Sequence, residues 1–169
     1  MDERLVAADA SPLIGLAAAG AFDLLRQLFG TVTVTAVVRD EVVAGGDLPG
    51  AAELAGAVRA GWIEVVDTEA DTALFGDLDA GEASTLTLAT EHTGPCLVVM
   101  DEALGRWHAN ARGLEVTGLA GVLIAARRSG IVDGVRPYLD RLEKNDFRMS
   151  DAVVQAVLEG EETSRSERA

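Results

Sequence analysis

The sequence is poor in several features, and each shortage excludes a class of protein. It contains one cysteine, Cys96, which rules out a disulfide framework and a zinc site built on paired cysteines. The longest apolar runs, such as Leu13 to Ala19, fall far short of the roughly 20 residues that span a bilayer. The first residues resemble neither a basic leader nor a signal-peptide core. We therefore expect a cytoplasmic protein that does not enter the membrane.

Basic charge is also scarce. The chain has 14 Lys and Arg residues against 28 Asp and Glu, a formal net charge of -14, which argues against a broad basic surface for nucleic acid. Residues 1–102 contain 4 basic and 18 acidic residues, whereas residues 103–148 contain 8 basic and 5 acidic ones. This asymmetry fits an acidic cation site beside an arginine-bearing flank, or else an ordinary solvated acidic surface.

The alternation of apolar segments predicts the fold. A length of 169 residues with 49% hydrophobic residues is typical of one globular domain. Strand-like runs at residues 5–9, 31–35, 62–66, 96–100 and 115–117 alternate with helical segments, the first of which has Ser11 as its expected N-cap before Pro12. We predict a single α/β domain over residues 1–160, with a mostly parallel sheet flanked by helices, and a disordered tail at residues 161–169.

Two of the predicted strands end in an aspartate. Asp9 follows an apolar run, and Asp101 follows another. In open parallel sheets, ligands bind beyond the carboxyl ends of the strands, near the point where the strand order reverses. Asp101 has an alternative role as the N-cap of a helix that begins at Glu102.

Two glutamates add to these acids. On a helical wheel, Glu41 lies within the apolar face of its helix, so a buried carboxylate there needs an arginine or a metal as partner. Glu82 also shares the packed face of its helix, but its spacing from Asp79 is that of a capping box. Each glutamate therefore has a structural reading beside a metal-binding one.

Taken together, the four acids Asp9, Glu41, Glu82 and Asp101 predict a divalent metal site. Crowded carboxylates repel one another, which favours binding a cation, and oxygen ligands suit Mg²⁺ or Mn²⁺ better than zinc. Such a site can activate water and stabilise charge on a phosphodiester. His92 and His108 have no metal-ligand spacing and are expected on helix surfaces. A phosphatase-like role for Asp9 as nucleophile is weaker, because Ser11 stands where a second aspartate is typical.

Several segments resemble, in order and spacing, the PIN-domain superfamily, and within it a branch related to VapC-like toxins. They are Asp9-Ala10-Ser11-Pro12-Leu13-Ile14, Asp40-Glu41-Val42, Leu78-Asp79-Ala80-Gly81-Glu82-Ala83, Val99-Met100-Asp101-Glu102, Gly118 to Leu123 and Asp146-Phe147-Arg148-Met149-Ser150. The resemblance implies a Mg²⁺- or Mn²⁺-dependent ribonuclease, often the toxin of a toxin and antitoxin pair. It places Asp9, Glu41, Glu82 and Asp101 on the metal-site positions. RNA, a small antitoxin protein and a second copy of the chain are the partners to expect.

The sequence also departs from this pattern. The second residue of the usual acidic pair is Glu102, and Leu119 stands where the family has a threonine. Ser11 matches a small hydroxyl residue that orients water at the site, although an N-cap role also explains it. Arg106 matches an arginine that this branch carries after its second strand-end acid. It is a candidate for contact with phosphate, with a surface ion pair as the alternative. The leading hypothesis is an endoribonuclease, and the rival is a non-catalytic PIN-like module that binds a protein or nucleic-acid partner.

Overall fold

The computed structural model describes the backbone of residues 3–166 and the side chains of residues 3–160. The five strands are β1 Leu5–Ala8, β2 Val32–Thr35, β3 Ile63–Val66, β4 Cys96–Val99 and β5 Glu115–Thr117. The helices are α1 Ala10–Ala18, α2 Leu24–Phe29, α3 Ala36–Val43, α4 Ala51–Ala60, α5 Thr72–Phe75, α6 Ala80–Glu91, α7 Ala103–Ala111, α8 Leu119–Arg128, α9 Arg136–Lys144 and α10 Asp151–Ser166.

The strands form one sheet in the order β3-β2-β1-β4-β5, and every neighbouring pair is parallel. Parallel neighbours need crossover connections, which the intervening helices provide. The predicted single α/β domain with a parallel sheet flanked by helices is confirmed.

Side chains alternate between two cores because successive residues of a strand point to opposite faces of the sheet. In β4, Leu97 and Val99 pack into the larger core with α1, α2, α3 and α8. Cys96 and Val98 face a smaller core beneath α5, α6 and α7, where Phe75 is fully buried. Burial on both faces explains why β4 is apolar throughout.

The first helix begins two residues earlier than the Ser-Pro pattern predicts. α1 starts at Ala10, and Asp9 occupies the N-cap position with extended backbone angles and no side-chain cap hydrogen bond. Ser11 and Pro12 therefore lie inside the first turn, where proline is tolerated because the N–H it lacks has no partner within the helix. The N-cap prediction for Ser11 is wrong.

The last helix also extends further than predicted. α10 runs to Ser166, past residue 161, where the sequence predicts the tail to begin, and residues 167–169 lie outside the described part of the chain. No helix within residues 3–166 combines the length and the apolar character needed to cross a membrane.

Candidate functional site

The two strand-end aspartates lie at the point where the strand order reverses. The chain moves outward from β1 to β2 and β3, then returns to place β4 on the other side of β1. Ala8 pairs with Val99 at the carboxyl ends of β1 and β4, and the backbone N–H of Asp9 donates to the Val99 carbonyl at 2.9 Å. Asp9 and Asp101 thus leave adjacent strands at the edge where open parallel sheets bind ligands.

Asp9 is buried, with 4% of its surface exposed, and its Oδ1 atom has no hydrogen-bond partner in the described part of the chain. Burial raises the pKa of this carboxyl to about 7, and a hydrogen bond from the backbone of Ala10 opposes the rise only in part. The carboxylates of Asp79, Glu82 and Glu41 raise it further, in that order. Below about pH 7, Asp9 therefore holds a proton unless a cation replaces it.

Glu82 performs the structural role that its spacing predicts. The Asp79 carboxylate accepts from the Glu82 backbone N–H at 2.8 Å, and the Glu82 carboxylate accepts from the Asp79 backbone N–H at 3.3 Å. This capping box at the start of α6 is confirmed. Glu82 is nevertheless buried, and burial followed by the charge of Asp79 raises the pKa of its carboxyl. The cap fixes the carboxylate in position beside Asp9 without neutralising its charge.

Glu41 differs from the wheel-based prediction, because it is an exposed residue of α3 rather than a buried one. A buried partner is therefore unnecessary. Its carboxyl end still points into the site, since a Cβ added to Gly81 would lie 2.7 Å from Glu41 Oε2 and 3.2 Å from Asp9 Oδ1. Partial withdrawal of the carboxyl from water, followed by the charge of Asp79, raises its pKa.

Asp79 also belongs to the site, although its position in the sequence predicts only a helix-capping role. The same Cβ position on Gly81 lies 3.5 Å from Asp79 Oδ1, and the charge of Asp79 raises the pKa values of Asp9, Glu41 and Glu82 alike. We call Asp9, Glu41, Asp79 and Glu82 the acidic cluster. Gly81, between Asp79 and Glu82 in the sequence, is the signal that could have identified it.

A buried pair of hydroxyl groups holds the two helices of the cluster in place. Thr35 caps α3 by accepting from the Val38 N–H at 3.1 Å, and its hydroxyl lies 2.8 Å from that of Ser84 in α6. Ser84 in turn donates to the Gly81 carbonyl at 2.9 Å. Glu41 belongs to α3, and the start of this helix is therefore hydrogen-bonded to the turn of α6 that contains Gly81.

Asp101 is half-buried and is held from a different direction. Its carboxylate accepts from the Leu119 backbone N–H at 3.0 Å, at the start of α8. A Cβ at Gly118 would collide with this carboxylate, so glycine is needed for the approach. Burial raises the pKa of Asp101, whereas the Leu119 hydrogen bond and the charge of Arg106 lower it. The N-cap role predicted for Asp101 in the following helix is wrong, because Glu102 occupies that position.

Glu102 links Asp101 to the acidic cluster. Its charge raises the pKa of Glu82 and also that of Asp101, so it is close enough to act on both carboxyls. The sequence flagged Glu102 only as a departure from the usual acidic pair. The structure brings together Asp9, Glu41 and Glu82, whereas the contacts of Asp101 are with Leu119, Gly118 and Arg106.

Ser11 and Arg106 lie in a groove of about 540 Å³ that begins at Asp101. Arg106 donates through Nη1 to the Met100 carbonyl at 3.0 Å. This hydrogen bond, rather than the surface ion pair considered as an alternative, fixes the position of its guanidinium. Thr117 lines the same groove. A hydroxyl therefore remains near the site although Leu119 replaces the family's threonine.

The histidines stay outside this site, but the expectation that both lie on helix surfaces is wrong for His108. It is 6% exposed, and its Nε2 lies 3.0 Å from both carboxylate oxygens of Asp77. Arg112 donates to Nδ1 at 3.1 Å. The hydrogen bond from His108 is the main cause that lowers the pKa of Asp77. These contacts account for His108 as a structural residue beneath α5.

The donor set of the site suits a divalent cation. The atoms available as ligands are carboxylate oxygens, which favour Mg²⁺ or Mn²⁺. One of them, Asp9 Oδ1, is buried without a partner in the described part of the chain. Gly81 leaves open the space that a side chain would fill between the acids. Within the described residues, no three acidic, histidine or cysteine side chains already stand as ligands around one point. The chemistry of these carboxylates, and the unpartnered Asp9 Oδ1 among them, therefore fits a divalent cation.

Comparison with known proteins agrees with the geometry. A family model described as a PIN domain matches residues 5–162, which is nearly the whole chain, whereas no curated protein matches it. PIN domains are in general nucleases and typically use divalent metal ions. With the parallel sheet, the strand-end acids and this match in agreement, the chain belongs to the PIN-domain family.

Proposed function

We propose that this protein is a Mg²⁺- or Mn²⁺-dependent endoribonuclease whose metal ligands are Asp9, Glu41, Glu82 and Asp101. The observation that carries the proposal is the buried, unpartnered Oδ1 of Asp9 at the reversal point of the sheet, surrounded by other carboxylates. An orphaned acid of this kind costs stability unless it binds something. Its cost is explained if the site exists to hold a cation.

The residues around the cation divide the work by their position. A bound divalent cation supplies an activated water and offsets the charge that develops in an in-line displacement at phosphorus. Asp9 and Glu82, both buried, would hold the cation from the protein side. Glu41 is exposed on α3 with its carboxyl end directed at Gly81, so it would hold the cation from the solvent side. Asp101 and Ser11 lie where the groove begins and are placed to orient water and the scissile phosphate.

The charge of the chain makes RNA binding a local event. A net charge of -14 repels phosphate at long range, so the substrate must be held by a few cations at the site. The metal cancels the charge of the carboxylates where the phosphate approaches. Arg106, held beside Asp101 by the Met100 carbonyl, supplies a fixed guanidinium next to that point.

Cleavage of RNA by the purified full chain tests the proposal. We expect a labelled single-stranded RNA to be cut internally in Mn²⁺ or Mg²⁺ and to remain intact in EDTA. Asp9→Asn keeps the size of the side chain but removes its charge, so it should lower the rate at least 100-fold. An exposed acid provides the matched control, and Asp133→Asn should cut like the wild type. Equal cleavage by Asp9→Asn and the wild type would refute the assignment.

A non-catalytic PIN-like module is the second candidate. It is favoured by the capping box, in which the carboxylates of Asp79 and Glu82 both already accept backbone hydrogen bonds. This alternative predicts that RNA or a protein partner binds equally well with and without Mn²⁺ and that no metal supports cleavage. The same assay, run beside an RNA-binding measurement in EDTA, separates the two candidates.

The toxin role is a finer proposal that rests on the resemblance of the sequence motifs. It places the protein in the cytoplasm, with a small antitoxin protein as inhibitor and a second copy of the chain as a further partner. Induced expression should arrest bacterial growth for the wild type, whereas Asp9→Asn should permit growth at the same protein level. Arrest by both would show that growth inhibition does not depend on the acidic site.

A further inference from the structure

The groove that begins at Asp101 continues away from the acidic cluster along β5 and α8. Its far wall is the C-terminal segment, which we define as residues 147–150, together with the first turn of α10. The groove combines apolar side chains with two guanidinium groups and three hydroxyl groups. The apolar residues are Val116, Leu119, Phe147, Met149 and Val153, the arginines are Arg106 and Arg148, and the hydroxyl residues are Ser11, Thr117 and Ser150.

Arg148 has no structural explanation within the fold. It is exposed, and it makes no hydrogen bond or ion pair within the described part of the chain. Its neighbours in the segment behave differently, since Phe147 packs against the position of Gly15 in α1 and Met149 packs on the larger core. The segment is thus anchored by two apolar side chains, and Arg148 stands between them at the edge of the groove.

Arg106 marks the other end. The Cβ position on Gly118 that would collide with the Asp101 carboxylate lies 3.1 Å from Arg106 Nη1. The guanidinium is therefore beside Asp101, which lines the groove and is one of the proposed metal ligands. A ligand that fills the groove is thus adjacent to that end of the proposed metal site.

We propose that the groove binds one unpaired nucleotide of the RNA next to the scissile phosphate, with the base on the apolar floor and its phosphate at Arg148. The inference rests on the proposed ribonuclease function and names the form of its substrate. A volume of about 540 Å³ is within the range of small-ligand pockets. A base can enter such a pocket only when it is unstacked and unpaired, as single-stranded RNA permits. Guanidinium groups match phosphate in geometry and charge.

Removal of the Arg148 charge tests the phosphate contact. Binding of a fluorescent five-nucleotide single-stranded RNA to the full chain in Ca²⁺ is measured by anisotropy at several salt concentrations. Arg148→Ala should weaken binding about tenfold and lower the salt-dependence slope by somewhat under one unit. Arg59→Ala is the matched control, because Arg59 is also exposed and belongs to α4, which packs beside β3 at the opposite edge of the sheet. It should bind like the wild type.

A pair of valines tests the apolar floor. Val153 lines the groove, and Val58 lies on α4, yet both are 37% exposed. Val153→Glu places a negative charge against the bound nucleotide and should weaken binding at least tenfold. Val58→Glu makes the same chemical change elsewhere and should have no effect. Circular dichroism melting of both variants verifies that each is folded.

A blunt-ended RNA duplex without a loop tests whether the nucleotide is unpaired. We expect the duplex to bind at least tenfold more weakly than the five-nucleotide RNA and to be indifferent to Arg148→Ala. Equal binding of Arg148→Ala and the wild type, or preference for the duplex, overturns the inference even if Asp9→Asn abolishes cleavage and the ribonuclease proposal stands. Conversely, the wild type could bind the short RNA through Arg148 but cleave no RNA in any metal. That result would support the nucleotide-binding groove and refute the proposed ribonuclease activity.

Discussion

Glu41 Oε2 and Asp9 Oδ1 converge on Gly81, where an added Cβ atom would lie 2.7 Å from the first and 3.2 Å from the second. The glycine has ordinary helical geometry, because its φ is not among the positive values of the chain. Glycine is therefore required here not for its backbone conformation but because a side chain would occupy the gap between the two carboxylates. This gap lets both acids approach the start of α6, where together they would hold a cation.

Gly81→Ala should separate folding from activity. Glu41 is exposed and can swing aside, and alanine favours a helix over glycine by up to about 1 kcal/mol, so the melting temperature should stay the same or rise. The new methyl group fills the gap, and we expect metal-dependent cleavage to fall at least tenfold. Gly56→Ala in α4 is the control, since nothing lies within 4 Å of its added Cβ. Equal cleavage by the two variants would contradict the role of the gap.

Asp9 should make the metal-free protein less stable as pH rises. Its pKa is about 7 in the folded chain against an ordinary 3.8, so between these values the unfolded state ionises while the folded state keeps its proton. Stability is therefore lost from about pH 4 to pH 7, by an amount on the order of 4 kcal/mol. The raised pKa values of Glu41, Glu82 and Asp101 act in the same direction.

Denaturant unfolding in EDTA from pH 4 to pH 8 measures this effect, and Asp9→Asn isolates the contribution of the one carboxyl. As pH rises, Asp9→Asn should become more stable relative to the wild type, because the wild type alone loses the stability that its Asp9 proton provides. The exposed Asp133→Asn should show no such trend. A constant difference for Asp9→Asn across the range would mean that Asp9 is not desolvated as the structure has it.

Asp101 should tolerate one substitution and not another. In the wild type, Asp101 accepts from the Leu119 N–H at 3.0 Å, and asparagine retains an oxygen that can accept the same hydrogen bond. The free energy of unfolding of Asp101→Asn should therefore stay within a few tenths of a kcal/mol of the wild type, whereas its cleavage activity should be lost. Asp101→Ala removes the acceptor at the start of α8 and should cost about 1 kcal/mol, the size of a lost helix cap. Urea unfolding with cleavage on the same samples makes the comparison. Full cleavage by Asp101→Asn would make this residue purely structural.

The features that are local in the chain could be predicted from the sequence. Apolar runs that end in an acid identify β1 with Asp9 and β4 with Asp101, because both the strand and the residue after it are set by neighbouring side chains. The sheet order then brings the two acids together, as expected for an α/β fold. The capping box at Glu82 is also local, and it too is confirmed.

Features that depend on how elements pack could not be predicted. Glu41 lies on the apolar side of a helical wheel, but α3 ends at the open rim of the site and leaves it exposed. His108 is buried because Phe75 of the short helix α5 packs edge-on against its ring at a centroid distance of 5.5 Å, and the sequence of that segment indicates only a polar loop with a turn. Glu102 acts on Glu82 because α7 packs on α6. The spacing of residues in the sequence does not predict this contact between the two helices.

The cap of α1 shows a different kind of failure. Asp9 and Ser11 are both good N-cap residues, and Pro12 fits the first turn in either register. Local propensity therefore cannot choose between them. The helix begins at Ala10, which leaves the Asp9 carboxylate free of a capping role and available to the acidic cluster.

Proton release on Mn²⁺ binding tests whether Asp9 and its neighbours bind a divalent cation. Isothermal titration calorimetry at pH 6 in two buffers of different ionisation enthalpy gives the number of protons released per ion, because a ligand must be deprotonated to bind a metal. With a pKa of about 7, Asp9 should release close to one proton at pH 6 and almost none at pH 8.5. Asp9→Asn should lose both that proton and most of the affinity. Binding of Mn²⁺ by the wild type without proton release at pH 6, or with the same release by Asp9→Asn, would contradict the account.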